Sequence, residues 1–369
     1  MGIDVGMFSK QVLAWFQLHG RKDLPWQQNP DPYKIWVSEI MLQQTRVDTV
    51  IPYYQKFIQR FPNVRELADA GVDEILHYWA GLGYYARARN LHKTARQVCE
   101  FYQGRFPDDM KEMSALPGIG RSTAAAILAL GFHQRHAILD GNVKRVLARY
   151  FAVEGWSGER KVEAQLWAHA ESLLPISKGQ IADYTQAMMD IGATLCTRVH
   201  PDCLSCPVQN GCKAFRQHRQ HELPTAKPSR ILPQREIQVA MVKDVQGAIW
   251  LEKRPPAGIW GGLYSFPEFV DDASLLEWLE SRYGELAYRT QALPVMTHTF
   301  SHYRLHMHLK LVQLVGQSIG VMEDDAGVWY KAPCEKIGLA APVRKVLRQA
   351  MLNTKESSHD THGSMCKAE

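Results

Sequence analysis

The sequence predicts an all-α amino-terminal half followed by a smaller α+β carboxy-terminal half, and three observations carry that expectation. Apolar residues recur at helical spacing through 12–18, 35–61, 72–80, 86–101 and 143–151. A polar stretch at 223–233 then carries Pro224, Pro228 and Pro233, a composition suited to an extended tether. Beyond it, Ile237, Val239 and Met241, then Tyr303, Leu305, Met307, Leu309 and Leu311, alternate with polar residues at the period of a strand.

Each element has its local reason. Phe61-Pro62, Phe106-Pro107, Leu116-Pro117-Gly118 and Leu174-Pro175 interrupt the helical pattern, because proline and glycine break the hydrogen-bonded ladder. The segment from Ser122 to Leu130 reads as a helix stopped by Gly131. In the second half, helices are expected at 274–283 and 342–351, and the polar tail after Leu352 reads as disordered. The expected organisation is therefore a helical domain at 1–222, a linker at 223–235, an α+β domain at 236–352 and a tail at 353–369.

Composition narrows the function classes. Of 369 residues, 46% are hydrophobic and 22% charged, which excludes collagen-like order and wholesale disorder. The longest apolar run, Ala124 to Phe132, falls far short of the roughly 20 residues that cross a bilayer, so no membrane partner is expected. The first residues show neither a secretory leader nor a myristoylation pattern, and the chain reads as cytoplasmic. The net charge of +5 is modest, but its distribution is uneven. Arg198, Lys213, Arg216, Arg219, Lys227, Arg230 and Arg235 face only Asp202 and Glu222 between Cys196 and Arg235, and Arg87, Arg89, Lys93 and Arg96 form a second stripe. Such stripes suit a polyanion, although a solvated helix face would look the same.

Four of seven cysteines, Cys196, Cys203, Cys206 and Cys212, fall at C-x6-C-x2-C-x5-C spacing. Four thiolates that close can hold one metal centre. A structural zinc site usually pairs two C-x2-C knuckles, whereas one pair with wider flanking gaps suits the corners of a [4Fe-4S] cube; zinc and unligated thiols stay open on spacing alone. Cys99 and Cys334 read as apolar filler and Cys366 as a tail thiol.

Leu116-Pro117-Gly118-Ile119-Gly120 separates two helical segments. Its glycines permit a turn that aims backbone N–H groups outward at a helix N-terminus, a phosphate-binding geometry, while Ile119 would also anchor an ordinary turn. Twenty residues on, Asp140-Gly141-Asn142 precedes Lys144 and Arg145. Asp140 fits a helix N-cap, where the dipole and N–H donors hold a carboxylate ionised and its pKa low. Glu39 lies in the apolar run Ile35-Trp36-Val37-Ser38-Glu39-Ile40-Met41-Leu42, where desolvation would raise its pKa; the plain alternative is a solvated first-turn glutamate behind Ser38. One raised and one lowered carboxylate would serve cleavage of a glycosidic bond, with an acid for the leaving group and an anion for the sugar cation.

The glycine hairpin, Asp140 and the four cysteines together resemble the helix-hairpin-helix glycosylase superfamily that includes endonuclease III. Within it, Met41-Leu42-Gln43-Gln44-Thr45, Gly81-Leu82-Gly83-Tyr84-Tyr85-Ala86-Arg87-Ala88-Arg89 and Arg121-Ser122-Thr123 are similar to the MutY-type adenine DNA glycosylases. That resemblance implies a monomeric, nucleoid-associated enzyme with a [4Fe-4S] cluster on Cys196, Cys203, Cys206 and Cys212. Its expected partner is duplex DNA carrying adenine opposite 8-oxoguanine or guanine. Glu39 would protonate the adenine ring and Asp140 would stabilise the sugar cation. Ser122 stands where bifunctional lyases carry a nucleophilic lysine, which argues against Schiff-base strand cleavage. Gln43 and Tyr84 would enter the duplex beside the lesion, and Trp26 and Gln186 would line the adenine pocket. Gln44, Thr45, Gly118, Gly120, Ser122 and Lys144 join the DNA contacts.

The second half resembles the MutT-like, Nudix-fold domain of the same family, beginning at Gly258-Ile259-Trp260-Gly261-Gly262-Leu263-Tyr264-Ser265-Phe266-Pro267. No REXXEE helix follows, and Glu277-Trp278-Leu279-Glu280 cannot supply its acidic cluster, so the expectation is recognition rather than hydrolysis. Phe300, Ser301 and His302 match the segment that contacts 8-oxoguanine. His302, His306 and His308 lie on an alternating strand and read as solvated rather than metal-bound. Three other readings stand beside the first: a bifunctional glycosylase-lyase for oxidised pyrimidines, a non-catalytic iron-sulfur redox sensor on DNA, and a Nudix hydrolase.

Overall fold

A computed structural model describes residues 5–228, 231–256, 258–284, 288–300, 302–315, 327–331, 337–340 and 342–347. The chain forms two compact units. The first contains Met1–Asp69 and Arg89–Ser229, the second Ala70–Ala88 and Arg230–Glu369.

In chain order the helices are α1 (Val5–His19), α2 (Pro32–Leu42), α3 (Val47–Arg60), α4 (Val64–Asp69), α5 (Val72–Trp79), α6 (Ala86–Tyr102), α7 (Met110–Ala115), α8 (Arg121–Phe132), α9 (Gly141–Phe151), α10 (Arg160–Ser172), α11 (Ile181–Asp190), α12 (Lys213–Arg216) and α13 (Asp272–Tyr283). In the first unit α8 is the central helix, packed against α2, α7 and α11. Its sequence explains this, because Ala124, Ala125, Ala126 and Ala129 are buried and small enough to let neighbours approach closely. Gly131 is part of that fit rather than a helix stop, since a Cβ there would stand 3.4 Å from Ile35 Cδ1 and Pro32 Cα of α2. The helix ends one residue past Phe132, where His133 takes the left-handed cap at φ 53°.

The register of α2 is set at its start. Asp31 accepts the Lys34 N–H at 3.0 Å as N-cap, and Pro32 follows in the first turn, where a missing N–H costs nothing. Glu39 therefore lies in the second half of the helix, not in a first turn behind Ser38. The Ser38 hydroxyl instead donates to the Ile35 carbonyl at 2.7 Å. A second cluster joins α1, α9, α10 and α11 through Phe8, Val12, Leu147, Leu166 and Ile181. Each such buried side chain contributes about 1.5–3 kcal/mol.

The second unit is built on an eight-stranded mixed sheet: β1 (Gln234–Lys243), β2 (Ile249–Lys253), β3 (Tyr264–Ser265), β4 (Glu268–Phe269), β5 (Tyr288–Ala292), β6 (Met296–Thr299), β7 (Arg304–Leu314) and β8 (Gly327–Tyr330). The main order is β3-β2-β1-β7-β5, with β4 on β1, β6 on β7 and β8 on β2. The long strands β1 and β7 pair in parallel, Gln234 opposite Arg304 through Lys243 opposite Gln313. Their alternation buries Leu305, Met307 and Leu309. The helix expected at 274–283 begins slightly earlier, fixed by Asp271, which accepts the Ser274 N–H at 2.8 Å. Of the helix expected at 342–351, residues 342–347 are helical; the remainder, Cys334, Cys366 and the tail lie outside the described residues.

Residues 70–88 were expected in the helical half, yet they group with the sheet. Asp73 pairs with Lys253 at 2.7 Å, the Tyr85 hydroxyl donates to the Leu339 carbonyl at 3.1 Å, and Arg344 donates to the Ala80 carbonyl at 3.0 Å. Gly338 permits this packing, because a Cβ there would stand 2.9 Å from Leu76 Cβ. Among the described residues no helix is long and apolar enough to cross a membrane.

Candidate active site and cysteine loop

The close approach of α2 to α8 carries Glu39 into a protein-lined setting near Asp140. Burial, and then the charge of Asp140, push the Glu39 carboxyl up to about 8, so it holds its proton at neutral pH. Asp140 caps α9 as the sequence suggests, its side chain accepting the Val143 N–H at 2.8 Å. Its pKa nevertheless moves opposite to the expectation. Burial raises it, outweighing the Val143 and Asn142 N–H groups, the Arg145 charge and the Asn142 side chain, all of which favour the anion. These donors belong to Asp140, so of the two carboxyls Asp140 is the better place for the negative charge and Glu39 for the proton.

Ser122 holds Asp140 in place. Its hydroxyl accepts the Leu139 N–H at 2.9 Å, one residue before the carboxylate. No amine occupies that position. In the hairpin, Gly118 is at φ +77°, and a Cβ would lie 2.9 Å from Asn90 Cβ, so both conformation and space require glycine. Thr94 donates to the Pro117 carbonyl at 2.9 Å, tying the loop to α6, while Ile119 is buried. Gly120 is the N-cap of α8 and makes no side-chain cap bond, which leaves first-turn N–H groups outward. An anchored turn and a helix N-terminus without a side-chain cap thus coexist.

Gln43 follows α2 directly and donates to Thr123 Oγ1 at 3.4 Å, on the first turn of α8. Gln44 is exposed in the left-handed region at φ 58°, and the Thr45 N–H bonds the Leu42 carbonyl at 3.2 Å. These three residues therefore form one tight turn in the first unit, whereas Tyr84 lies in the second, 55% exposed at φ 49° with Arg87 over its ring. Trp26 is buried against Tyr54, with ring centroids 5.4 Å apart. Gln186 is buried and donates to Asp190 at 2.8 Å, while Asp190 takes a forked pair from Arg21, so Gln186 is committed to an internal network. Lys144 pairs with Glu163 at 2.7 Å.

In the second unit, the Phe300 N–H bonds the Tyr303 carbonyl at 2.9 Å, closing the β6–β7 turn. Phe300 packs among His298, Trp260 and Tyr303 at centroid distances of 4.5, 5.3 and 4.9 Å, and His302 is exposed beside it. Ser301 lies outside the described residues. His306 bonds Thr297 and Gln234 at 3.1 Å each, and His308 meets Glu236 at 3.3 Å, as solvated strand histidines would.

Cys196, Cys203, Cys206 and Cys212 line one pocket together with Arg149 and Tyr150. Among the described residues no three Cys, His, Asp or Glu side chains converge on a single metal ion. Backbone N–H groups of Val208, Ala214 and Phe215 point to Cys206 and Cys212, yet burial dominates and pushes the Cys206 thiol up to about 12. The buried Arg149 spans this loop, donating to Leu223 O, Cys196 Sγ and Thr197 O at 2.7, 3.3 and 2.7 Å. Arg145 joins the two ends of α9's neighbourhood, reaching Cys196 O at 2.5 Å and Asn142 Oδ1 at 2.9 Å. Sequence reasoning gave no role to Arg149, Asn142 or Asp190. Their spacing of Asp140, Asn142, Arg145 and Arg149 along one helix was the available signal.

A glycine hairpin, a carboxylate at the next helix cap and a second acid whose pKa that carboxylate helps to raise mark a helix-hairpin-helix base-excision repair protein. Residues 37–172 match the family described as HhH-GPD superfamily base excision DNA repair protein, and 238–349 match the NUDIX domain. The chain is 40% identical over 349 residues to the adenine DNA glycosylase of Buchnera aphidicola subsp. Acyrthosiphon pisum (strain APS), covering 94% of this chain and 98% of that one. It is 33% identical to the adenine DNA glycosylase of Homo sapiens, covering 85% and 68%. The solved structure of a thermostable thymine-DNA glycosylase superposes at a TM-score of 0.52 with 30% identity, covering 58% of this chain and 97% of that chain. The chain belongs to the adenine DNA glycosylase family.

Proposed function

We propose that the protein acts as a monomer in the cytoplasm, at the nucleoid, to hydrolyse the N-glycosidic bond of adenine facing 8-oxoguanine or guanine in duplex DNA. The single observation that carries this reading is the pairing of Glu39, protonated at neutral pH, with Asp140 at the cap of α9. An extruded adenine receives the Glu39 proton on a ring nitrogen, and the C1′–N9 electron pair leaves with the base. The positive sugar carbon left behind faces the Asp140 carboxylate. Water then adds to it, giving up a proton to the carboxylate that Glu39 has become. Ser122 spends its hydroxyl on the Leu139 N–H and offers no amine, so the reaction stops at an abasic site.

The donor set of the cysteine loop suits the corners of a polynuclear cluster: four sulfurs at C-x6-C-x2-C-x5-C spacing line one pocket, and backbone N–H groups stand beside Cys206 and Cys212. A [4Fe-4S] cluster there would supply structure, cross-linking Cys196, Cys203, Cys206 and Cys212. Anaerobic purification with iron and zinc analysis tests it; stoichiometric zinc without iron overturns it.

The deciding assay uses a duplex with adenine opposite 8-oxoguanine, scored with and without alkali. Strand breaks that need alkali support base removal alone. Breaks without alkali, or a borohydride-trapped adduct, refute the monofunctional reading, and intact adenine refutes the substrate.

A further inference from the structure

Helix α10 presents Glu163, Trp167 and Glu171 at four-residue intervals, which places them on one face. That face meets one cation from the helix that follows the hairpin and one from the helix that Asp140 caps. Glu163 takes Lys144 of α9 at 2.7 Å, and Glu171 takes Arg121, the first residue of α8. Between the acids, Trp167 carries the Arg121 guanidinium 3.9 Å above its ring. An open groove separates the pairs, lined by Arg121, Arg160, Glu163, Trp167 and Glu171. Arg121 is the first residue of α8, beside that helix's N-terminal N–H groups, and Lys144 lies in the first turn of α9, the helix that Asp140 caps; helix N-termini are the features most suited to a DNA phosphate. Both cations are thus neutralised from within the protein at the surface where a polyanion would need them. Both pairs reach solvent, Arg121 and Glu171 with side chains 55% and 53% exposed and Lys144 and Glu163 with 22% and 41%, so a phosphate can displace Glu171 at small cost and Glu163 at a somewhat larger one.

We infer that Glu163 and Glu171 are internal stand-ins for phosphate: they hold Lys144 and Arg121 in the free protein, yield them to the duplex backbone, and so set how loosely undamaged DNA is held. This rests on the DNA-binding reading above. Phosphate contacts are blind to sequence, so a protein that must survey intact duplex gains by weakening them.

The test is fluorescence anisotropy of the full-length protein on undamaged duplex across a salt series, with thermal melts of each variant. Glu163→Gln and Glu171→Gln are each expected to tighten binding about threefold, the double variant about tenfold, with the salt slope steepening by up to about 0.9 per freed cation. The gain from Glu163→Gln should vanish in a Lys144→Gln background, a coupling that a merely structural ion pair would not produce. Unchanged or weaker binding by the double variant at wild-type melting temperature overturns the inference, as does a gain that survives Lys144→Gln. A wild-type protein that fails to bind duplex at all sinks the DNA-binding reading instead.

Discussion

The two units treat their carboxyl groups in opposite ways. In the helical unit Glu39 and Asp140 are partly enclosed by protein and near enough for the Asp140 charge to act on Glu39, and desolvation raises both pKa values. In the sheet unit Glu277 and Glu280 stand exposed on α13, Asp272 is spent on Lys310, and Asp271 is held below the usual carboxylate range by the Ser274 N–H and hydroxyl. A carboxyl desolvated beside a second acid becomes a proton store, whereas an exposed one remains an ordinary surface charge. Chemistry is therefore expected from the first unit alone, and the second offers the aromatic group around Phe300 for contact with a base.

The sharpest way to break this contrast is to neutralise the buried pair. Glu39→Gln and Asp140→Asn should each lower single-turnover adenine excision by about 10³-fold or more, with duplex binding retained. Excision within tenfold of wild type in either variant would remove the basis for assigning chemistry to these groups. The wild-type rate should also fall as pH rises through about 8, where Glu39 gives up its proton. A rate that climbs across that range would reassign the acid.

Replacing Phe300 and His302 together by alanine should act on recognition instead. About a tenfold loss of preference for 8-oxoguanine over guanine opposite the adenine is expected, the scale of one lost base–aromatic contact. Excision opposite guanine should stay within about twofold. Equal losses on both substrates would mean that the sheet unit supports the fold or the chemistry, not the choice of partner base.

What could be read from sequence was what depends on neighbours in the chain. Asp140 as a helix cap and the positive φ of Gly118 follow from short motifs whose geometry is local. Glu39 was legible as an acid in an apolar run, but not in its helical position; Asp31-Pro32, a cap followed by a first-turn proline, was the clue that sets the register. The direction of the Asp140 shift was not legible, because donors on α9 are local and the desolvation that outweighs them comes from tertiary packing. The grouping of 70–88 with the sheet was equally hidden, since it depends on Leu339, Arg344 and Gly338, more than 250 positions away from their partners Tyr85, Ala80 and Leu76.

The smallest effect expected concerns stability, and it tests burial of Glu39 without any DNA. A carboxyl whose pKa is about 8 when folded and near the ordinary 4.5 when unfolded binds its proton more tightly in the native state. Its contribution to stability is complete below the unfolded value and is lost as pH rises through the folded one. Glu39→Gln keeps shape and hydrogen-bonding capacity but cannot ionise. The variant should melt close to wild type at pH 4.5 and a few degrees higher, about 3 °C, at pH 8.5, where wild type must either bury a charge or open. A gap between the two melting curves that does not widen with pH would place Glu39 in contact with solvent, and the contrast between the two units would lose its physical cause.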